Sequence, residues 1–290
     1  MDWTPGQMSG DVEDRRGSSG GGFRGGGLGI VGILFLLVIS LVTGRNYIGS
    51  YLTGGGGVAA PTSNRPVNAS PEEERSAHLV SYVLDDVQAT WDKELSEQTG
   101  RPYRHAKLVL FRDLTDSGGC GAAQAQSGPF YCPGDEKVYI DLGFWDELRK
   151  IGGSTADFAQ AYVVAHELGH HVQKILGIEQ QVRHLSAQNP SQKNPLSVRL
   201  ELQADCLAGV WAHGSAQRGK IDQSDVEAGL SAAAAVGDDH LQKMSRGAVS
   251  PESFTHGTSQ QRQTWFMRGL QQGQVSACNT FEGRSVDNNF

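Results

Sequence analysis

Apolar side chains recur at helical spacing over residues 71–98, which predicts a first helix with one buried face. Two short apolar runs follow at 106–111 and 137–141, and each predicts a strand. Residues 113–136 lie between them, are rich in Gly, Ser and Ala, and predict a loop. The pattern indicates an α+β fold that is mostly helical, with a small β-sheet.

Two later helices contain most of the residues with catalytic potential. Residues 154–157 match a capping box, and the helix that it opens should stop before Gly177. After a polar loop, Asn194 and Pro195 resemble an N-cap followed by proline at the first helical position. That second helix should run to about His213. Further helices are predicted over 222–236 and 259–272.

One uncharged apolar stretch, residues 28–42, lacks the alternation of the other elements. With its flanking glycines it gives a charge-free window of about 20 residues, which is the length of a helix that crosses a bilayer core. We therefore predict a transmembrane signal anchor over 25–45. The other predicted parts are a disordered cytoplasmic N-terminus (1–24), a flexible linker (46–71), a folded domain (72–280) and a loose tail (281–290).

The arginines around the apolar stretch predict its orientation. Arg15, Arg16 and Arg24 precede it, whereas only Arg45 closely follows it. Positive charges favour the cytoplasmic side, so we expect a single pass with the folded domain outside the cell membrane. A cleaved signal peptide is the alternative, with residues 58–60 as a late cleavage point. A buried core helix is a third possibility, although the stretch has no polar face.

Composition narrows the class of protein and its partners. The chain has 290 residues, of which 38% are hydrophobic, enough for one substantial domain. Its formal net charge is −7, and it has no basic run. A nucleic-acid-binding protein normally carries a basic patch for the phosphate backbone. We therefore expect no nucleic acid among its partners.

The four cysteines are widely spaced, and none belongs to a C-x-x-C pair. Together with an external domain, this predicts two disulfides formed in an oxidising compartment, and four buried free thiols in a cytosolic enzyme are the alternative. We predict the pairs Cys120–Cys132 and Cys206–Cys278, although four cysteines allow three connectivities.

The segment His166-Glu167-Leu168-Gly169-His170 has the spacing of a zinc site. Residues four apart share one face of a helix, so both imidazoles can reach one Zn²⁺ ion. Glu167 is turned away by about 100° and can act as a general base without binding the metal. His171 turns away from His170 and is expected to be structural or to support a ligand. A buried cluster with only a structural role is the alternative.

A catalytic zinc needs a third protein ligand and an open position for water. A third histidine six residues after His170 would complete one known pattern, but that residue is Leu176. Glu201 on the next helix is the better candidate, and Asp205 lies one turn further on. Asp205 could then accept a hydrogen bond from a ligand histidine and fix its orientation. A solvated acidic face is the alternative for this pair.

These residues resemble the gluzincin class of peptidases, with HExxH and a downstream E-x-x-x-D. More closely, the chain is similar to the bacterial "putative neutral zinc metallopeptidase" family over roughly residues 72–280. The segments that carry the resemblance are Tyr131-Cys132-Pro133 with Val138–Leu142, HELGHHVQ at 166–173, Arg199–Cys206, and Ser253–Thr258 through Arg262.

The resemblance implies a zincin-like fold with Zn²⁺ on His166, His170 and Glu201. It also implies that strand 137–141 is an edge strand that flanks the active-site helix and pairs with an extended peptide. His256, six residues before Arg262, is similar to a His-Pro-x-x-x-x-Arg element of membrane-linked gluzincins, with Gly257 in place of the proline. His256 would then stabilise an oxyanion, or it would cap the last helix.

The sequence thus predicts a zinc-dependent endopeptidase of the bacterial cell membrane that acts on protein or peptide substrates. Two other functions fit the same residues. The chain could be a non-catalytic, zinc-stabilised envelope protein that binds a partner or assists membrane-complex assembly. It could also be a zinc hydrolase for a non-peptide bond, which an edge strand suited to peptides makes less attractive. The pattern leaves the substrate and the oligomeric state open.

Overall fold

The computed structural model describes residues 1–17, 67–124 and 128–281. The anchor predicted over 25–45 lies outside these residues, as does most of the predicted linker. Among the described residues, no helix is both long and apolar enough to cross a membrane. The described α-helices are α1 (Pro71–Thr99), α2 (Phe144–Lys150), α3 (Asp157–Leu176), α4 (Ile178–Gln188), α5 (Lys193–Gln217), α6 (Gln223–Ala235), α7 (Asp238–Arg246) and α8 (Ser259–Gln272).

The helices pack around a small mixed sheet. Its strands are β1 (Val12–Asp14), β2 (Lys107–Phe111), β5 (Phe130–Cys132) and β6 (Lys137–Asp141), in the order β1-β2-β6-β5. The first three strands of that order are parallel, and β5 is antiparallel to β6. A separate hairpin joins β3 (Leu114–Ser117) and β4 (Gly121–Gln124) within the region predicted as a loop.

The edge-strand prediction for residues 137–141 is wrong. β6 lies between β2 and β5, and four of its five residues are buried. The edge strands of the described sheet are β1 and β5. β5 has only three residues and is flanked by turn-forming sequence. It is therefore too short to show the alternation of apolar and polar residues that predicts a strand.

Residues 1–17 differ from the predicted disorder over 1–24, because they are part of the folded body. β1 pairs with β2 in the register Val12↔Leu108. The backbone N–H of Arg15 donates to the Leu110 carbonyl at 2.7 Å, which continues the pairing beyond the strand. The segment has few apolar residues, and polar contacts hold much of it. Its composition therefore resembled that of a disordered tail.

Helix α3 runs through the middle of the domain and is buried along most of its length. Helix α5 packs beside it, and α8 crosses α5 at close range. A Cβ atom on Gly269 of α8 would lie 1.9 Å from the Cys206 carbonyl oxygen of α5, so only glycine permits this crossing. The close contact lets Arg262 of α8 reach Asp205 of α5.

Two helix starts differ from the prediction. α3 begins without a side-chain cap, because the Asp157 carboxylate accepts hydrogen bonds from Arg75 and Trp3 instead. A short 3₁₀ turn precedes α5, which places Asn194 and Pro195 inside its first turn rather than at its boundary. At the start of α3, the boundary therefore follows from tertiary contacts that a local motif does not encode.

Helix α4 occupies the region predicted as a polar loop. Gly177, with a left-handed φ of 80°, ends α3 and precedes α4, so a single turn residue separates the two helices. Ile178 and Val182 give α4 its buried face. At the far end, Phe281 is 1% exposed, so the domain extends past the predicted boundary at residue 280. Residues 282–290 of the predicted tail lie outside the described residues.

Two disulfides, Cys120–Cys132 and Cys206–Cys278, confirm the predicted pairing. The first ties the turn between β3 and β4 to β5. The second ties α5, which carries Glu201 and Asp205, to the segment that follows α8.

Loss of the Cys206–Cys278 bridge should destabilise the domain more than loss of the Cys120–Cys132 bridge. The two bridges span 72 and 12 residues. By loop-closure entropy they are worth about 4 and about 3 kcal/mol, respectively. Urea unfolding of the two paired Cys→Ala variants, under equal zinc saturation, measures the difference. A larger loss for the Cys120→Ala/Cys132→Ala variant would contradict the prediction.

Candidate metal centre

Three side chains from α3 and α5 converge on one point. His166 Nε2 lies 3.2 Å from Glu201 Oε2, and His170 Nε2 lies 3.6 Å from Glu201 Oε1. One potential ligand atom from each of the three residues lies within 4.8 Å of the other two. Two imidazole nitrogens and a carboxylate oxygen form a donor set that suits zinc. The structure thus brings together the three residues predicted as ligands.

Gly169 sets the spacing between the two helices that carry these ligands. A Cβ atom at this position would lie 3.0 Å from the Ala204 carbonyl oxygen and 3.2 Å from Ala204 Cα. Both neighbours are backbone atoms of α5, so a side chain at residue 169 would push the helices apart. The glycine within the HELGH segment therefore permits Glu201 to approach both histidines.

A buried carboxylate fixes the orientation of His166. Asp205 is fully buried, and its Oδ1 lies 2.9 Å from His166 Nδ1. Arg262 holds the same carboxylate through Nε and Nη2, at 2.8 and 2.9 Å. The Tyr162 hydroxyl also donates to Asp205 Oδ1, at 2.5 Å. With Nδ1 facing Asp205, His166 keeps Nε2 for a metal.

The second histidine has a different supporting residue. His170 Nδ1 lies 2.8 Å from the side-chain oxygen of Gln173, three residues further along α3. The Gln173 amide nitrogen in turn donates to the Leu200 carbonyl of α5, at 2.7 Å. This link orients His170 with Nε2 toward Glu201 and ties the ring to the opposite helix.

The charges in this cluster change the proton affinity of its histidines. Burial alone would lower the pKa of His166, but the Asp205 and Glu201 carboxylates outweigh it and raise that pKa to about 10. The Glu201 carboxylate likewise raises the pKa of His170 against the effect of burial. The metal-free cluster therefore holds a proton on His166 at neutral pH.

Zinc binding should consequently release protons. A ligand nitrogen must be free of its proton, so at pH 7 we expect zinc binding to release at least the proton held on His166. Zinc affinity should rise as the pH increases toward 10, because protons then compete less. Calorimetry in buffers of different ionisation enthalpy measures the proton count. A binding enthalpy that does not depend on the buffer would contradict this prediction.

Glu167 lies beside the cluster without joining it. Its side chain is buried, and it makes no hydrogen bond or ion pair with another described residue. Its charge nonetheless acts on His170, whose pKa it helps to raise. A buried carboxylate that no other described residue engages, at the edge of a metal site, is available to accept a proton from a water molecule.

His256 lies in the loop before α8 and is held by Asp238, the first residue of α7. Asp238 Oδ2 accepts the backbone N–H groups of three successive residues at 2.6–3.0 Å, namely Thr255, His256 and Gly257. Asp238 Oδ1 also lies 3.2 Å from His256 Nδ1. One carboxylate therefore sets both the loop conformation and the direction of the imidazole.

Two carboxylates, Asp238 and Glu201, act on the charge of His256. Burial lowers its pKa, but the hydrogen bond that His256 donates to the Asp238 carboxylate and the charge of Glu201 together raise it. Thr258 caps α8, because its side chain accepts the Gln261 backbone N–H. His256 is therefore not the side chain that caps the last helix.

His171, the neighbour of His170, has a structural position. Its Nδ1 lies 2.8 Å from the Tyr131 hydroxyl on β5, and its Nε2 lies 2.6 Å from the Arg104 carbonyl oxygen. Both ring nitrogens are thus engaged away from the metal cluster. The residue joins α3 to the edge strand β5.

Sequence reasoning gave no role to Tyr162, Gln173 or Asp238. Tyr162 precedes His166 by four residues, and Gln173 follows His170 by three, so helical spacing offered a signal for both. Asp238 is 18 residues from His256 and lies on another element, so no local pattern links them. Arg262 was named only as part of a family resemblance, and its contact with Asp205 was not predicted.

Comparisons with known proteins agree with these features. A model of the family described as "putative neutral zinc metallopeptidase" matches residues 1–281. The uncharacterized protein YpfJ of Escherichia coli K12 is 50% identical over 295 residues, which cover 99% of this chain and 100% of that protein. The uncharacterized protein Rv2575 of Mycobacterium tuberculosis H37Rv is 40% identical over 213 residues, 70% of this chain and 69% of that protein. No solved structure shows a significant match.

Proposed function

The chain belongs to the putative neutral zinc metallopeptidase family, and we propose that it is a zinc-dependent endopeptidase. The observation that carries the proposal is the convergence of His166, His170 and Glu201. Beside them lies the buried Glu167 carboxylate, which no other residue in the described part of the chain engages. Three protein ligands leave a zinc position open for water, which is typical of catalytic rather than structural sites. Among the described residues, no fourth ligand joins the group.

The proposed reaction is hydrolysis of an internal peptide bond. Bound Zn²⁺ supplies a Lewis acid that polarises the scissile carbonyl and lowers the pKa of water. Glu167 accepts the proton of the attacking water and then delivers the same proton to the leaving amine. His256 donates a hydrogen bond to the oxyanion that develops on the carbonyl oxygen, and Asp238 holds its ring in place.

We propose β5 as the strand that binds the substrate, in a zincin-like arrangement. β5 is an antiparallel edge strand, and β6 is its only strand partner in the described sheet. The hydrogen bond between Tyr131 and His171 connects it to α3, the helix that carries the metal ligands. An extended peptide could pair with such an edge by strand addition, next to the helix that carries two of the metal ligands.

We also propose that the domain works outside the cytoplasm, at the bacterial cell membrane. The two disulfides support this location, because such bridges persist in oxidising compartments. The apolar stretch at 28–42 would associate the domain with the membrane.

Digestion of a peptide library tests the proposed activity. The purified chain would be stripped with a chelator, divided, and reloaded with zinc or left metal-free. We expect cleavage at internal bonds only in the zinc-loaded sample, followed by mass spectrometry. If zinc raises the melting temperature but no peptide is cut, the non-catalytic, zinc-stabilised alternative is favoured instead.

Replacement of His256 should reduce turnover without loss of metal. Removal of one oxyanion donor typically costs about 10²- to 10³-fold in kcat, so His256→Ala should fall in that range. Because His256 lies outside the ligand group, zinc content and KM should change little. Steady-state kinetics and metal analysis on one preparation measure both. Wild-type kcat in this variant would remove His256 from the mechanism.

A further inference from the structure

The N-terminal segment, residues 1–17, is built into the same folded body as the metal centre. β1 adds to the outer edge of β2 in parallel, with Val12, Glu13 and Asp14 opposite Leu108, Val109 and Leu110. The Leu108 N–H donates to the Asp11 carbonyl at 2.9 Å, and the Arg15 N–H donates to the Leu110 carbonyl at 2.7 Å. This backbone pairing requires the two strands to lie about 5 Å apart.

Charged side chains of the segment pair with the domain over the same length. Asp11 accepts hydrogen bonds from Lys107 at 2.7 Å and from Gln88 at 3.1 Å. Glu13 forms an ion pair with Lys137 of β6 at 2.6 Å. The partners come from α1, β2 and β6, so the contact is spread over several elements of the domain.

Arg16 has the most buried of the charged side chains with which the segment forms ion pairs. Its side chain is 2% exposed, and the guanidinium lies 3.4 Å from Glu73 and 3.2 Å from Glu74 at the start of α1. Asp14 completes its set of partners at 2.6 Å. A buried guanidinium is stable only with such partners, so the acidic first turn of α1 and Arg16 depend on each other.

Trp3 extends the contact to the helix of the metal ligands. Its indole nitrogen donates to Asp157, the first residue of α3, at 2.7 Å. Arg75 lies 5.3 Å from the centre of the Trp3 ring and also pairs with Asp157. The segment thus contacts the sheet, α1 and α3.

From this interface we infer that residues 1–17 lie on the same side of the membrane as residues 67–281. A bilayer core is about 30 Å thick, so strands on opposite sides of it could not exchange hydrogen bonds. Residues 17 and 67, the ends of the two described parts, therefore lie on one side of the membrane. This inference replaces the single pass with a cytoplasmic N-terminus that Arg15 and Arg16 predicted. It does not depend on peptidase activity.

Cysteine labelling of the full chain in spheroplasts tests the inference. All four native cysteines are in disulfides, so an introduced cysteine is the only free thiol. Gln7→Cys and Thr4→Cys report on the segment at exposed positions, and Lys150→Cys at the exposed end of α2 is the matched control in the domain. Wild-type zinc content would show that each variant is folded.

We expect a membrane-impermeant maleimide to label all three variants in intact spheroplasts to a similar extent. Labelling of Lys150→Cys before lysis, with Gln7→Cys and Thr4→Cys labelled only after lysis, would overturn the inference, as would the reverse pattern. Protection of all three until lysis would support a common side and would instead refute the proposed external location.

Discussion

The Glu167→Gln variant should retain its zinc and lose about three orders of magnitude in kcat, within the range that a general base contributes. Glutamine has nearly the same shape but cannot accept the proton from water. Because the Glu167 carboxylate has no hydrogen-bond partner among the described residues, the substitution breaks no protein contact. The melting temperature should therefore stay close to that of the wild type. Single-turnover hydrolysis of a quenched peptide and metal analysis measure the two effects.

Glu179→Gln on α4 is a matched control for this variant, because Glu179 is an acidic helical residue whose ion-pair partner among the described residues is the exposed Arg183. We expect it to keep wild-type kcat. Two results would remove Glu167 from its role as the base. Turnover equal to wild type would show that another group takes the proton, and loss of zinc would show that Glu167 is a ligand.

Local helical geometry explains why much of the metal centre could be predicted from the sequence. His166 and His170 are one turn apart on α3, and Glu201 and Asp205 are one turn apart on α5, so each pair shares a face wherever its helix lies. What the sequence did not show is how the two helices meet. Their contact depends on Gly169, which reads only as one variable position of the motif.

Long-range polar contacts were the main source of error in the fold. Glu13 pairs with a residue 124 positions away, and Ser9 binds Ser81 across 72 positions. Apolar periodicity cannot detect a strand whose stability comes from such partners, and β1 has only three residues. The glycine-rich sequence after residue 17 strengthened the impression of disorder. Contacts of the same kind account for the different start of α3, since the Asp157 carboxylate accepts hydrogen bonds from Trp3 and Arg75.

Replacement of Glu201 should nearly abolish zinc binding, whereas replacement of Asp205 should only weaken it. Glu201 Oε1 and Oε2 face both histidines, so Glu201→Ala leaves two ligands and no negative charge at the metal. Asp205 acts on the metal through His166, and loss of such a supporting carboxylate costs about 10- to 100-fold in affinity. Chelator competition on the two variants should show this difference. Wild-type affinity in Glu201→Ala would refute the ligand assignment.

The buried Arg262 complicates the test on Asp205. Asp205 is its only carboxylate partner among the described residues, so a neutral residue at position 205 leaves the guanidinium without a negative charge beside it. Leaving a buried charge unpaired costs about 3–5 kcal/mol, so Asp205→Asn could lower zinc affinity merely by unfolding the site. The double variant Asp205→Asn/Arg262→Gln removes both charges and should recover most of the stability measured by urea unfolding. Its zinc affinity should stay low, since His166 still lacks the carboxylate at Nδ1. If affinity recovers together with stability, Asp205 supports the fold and not the ligand.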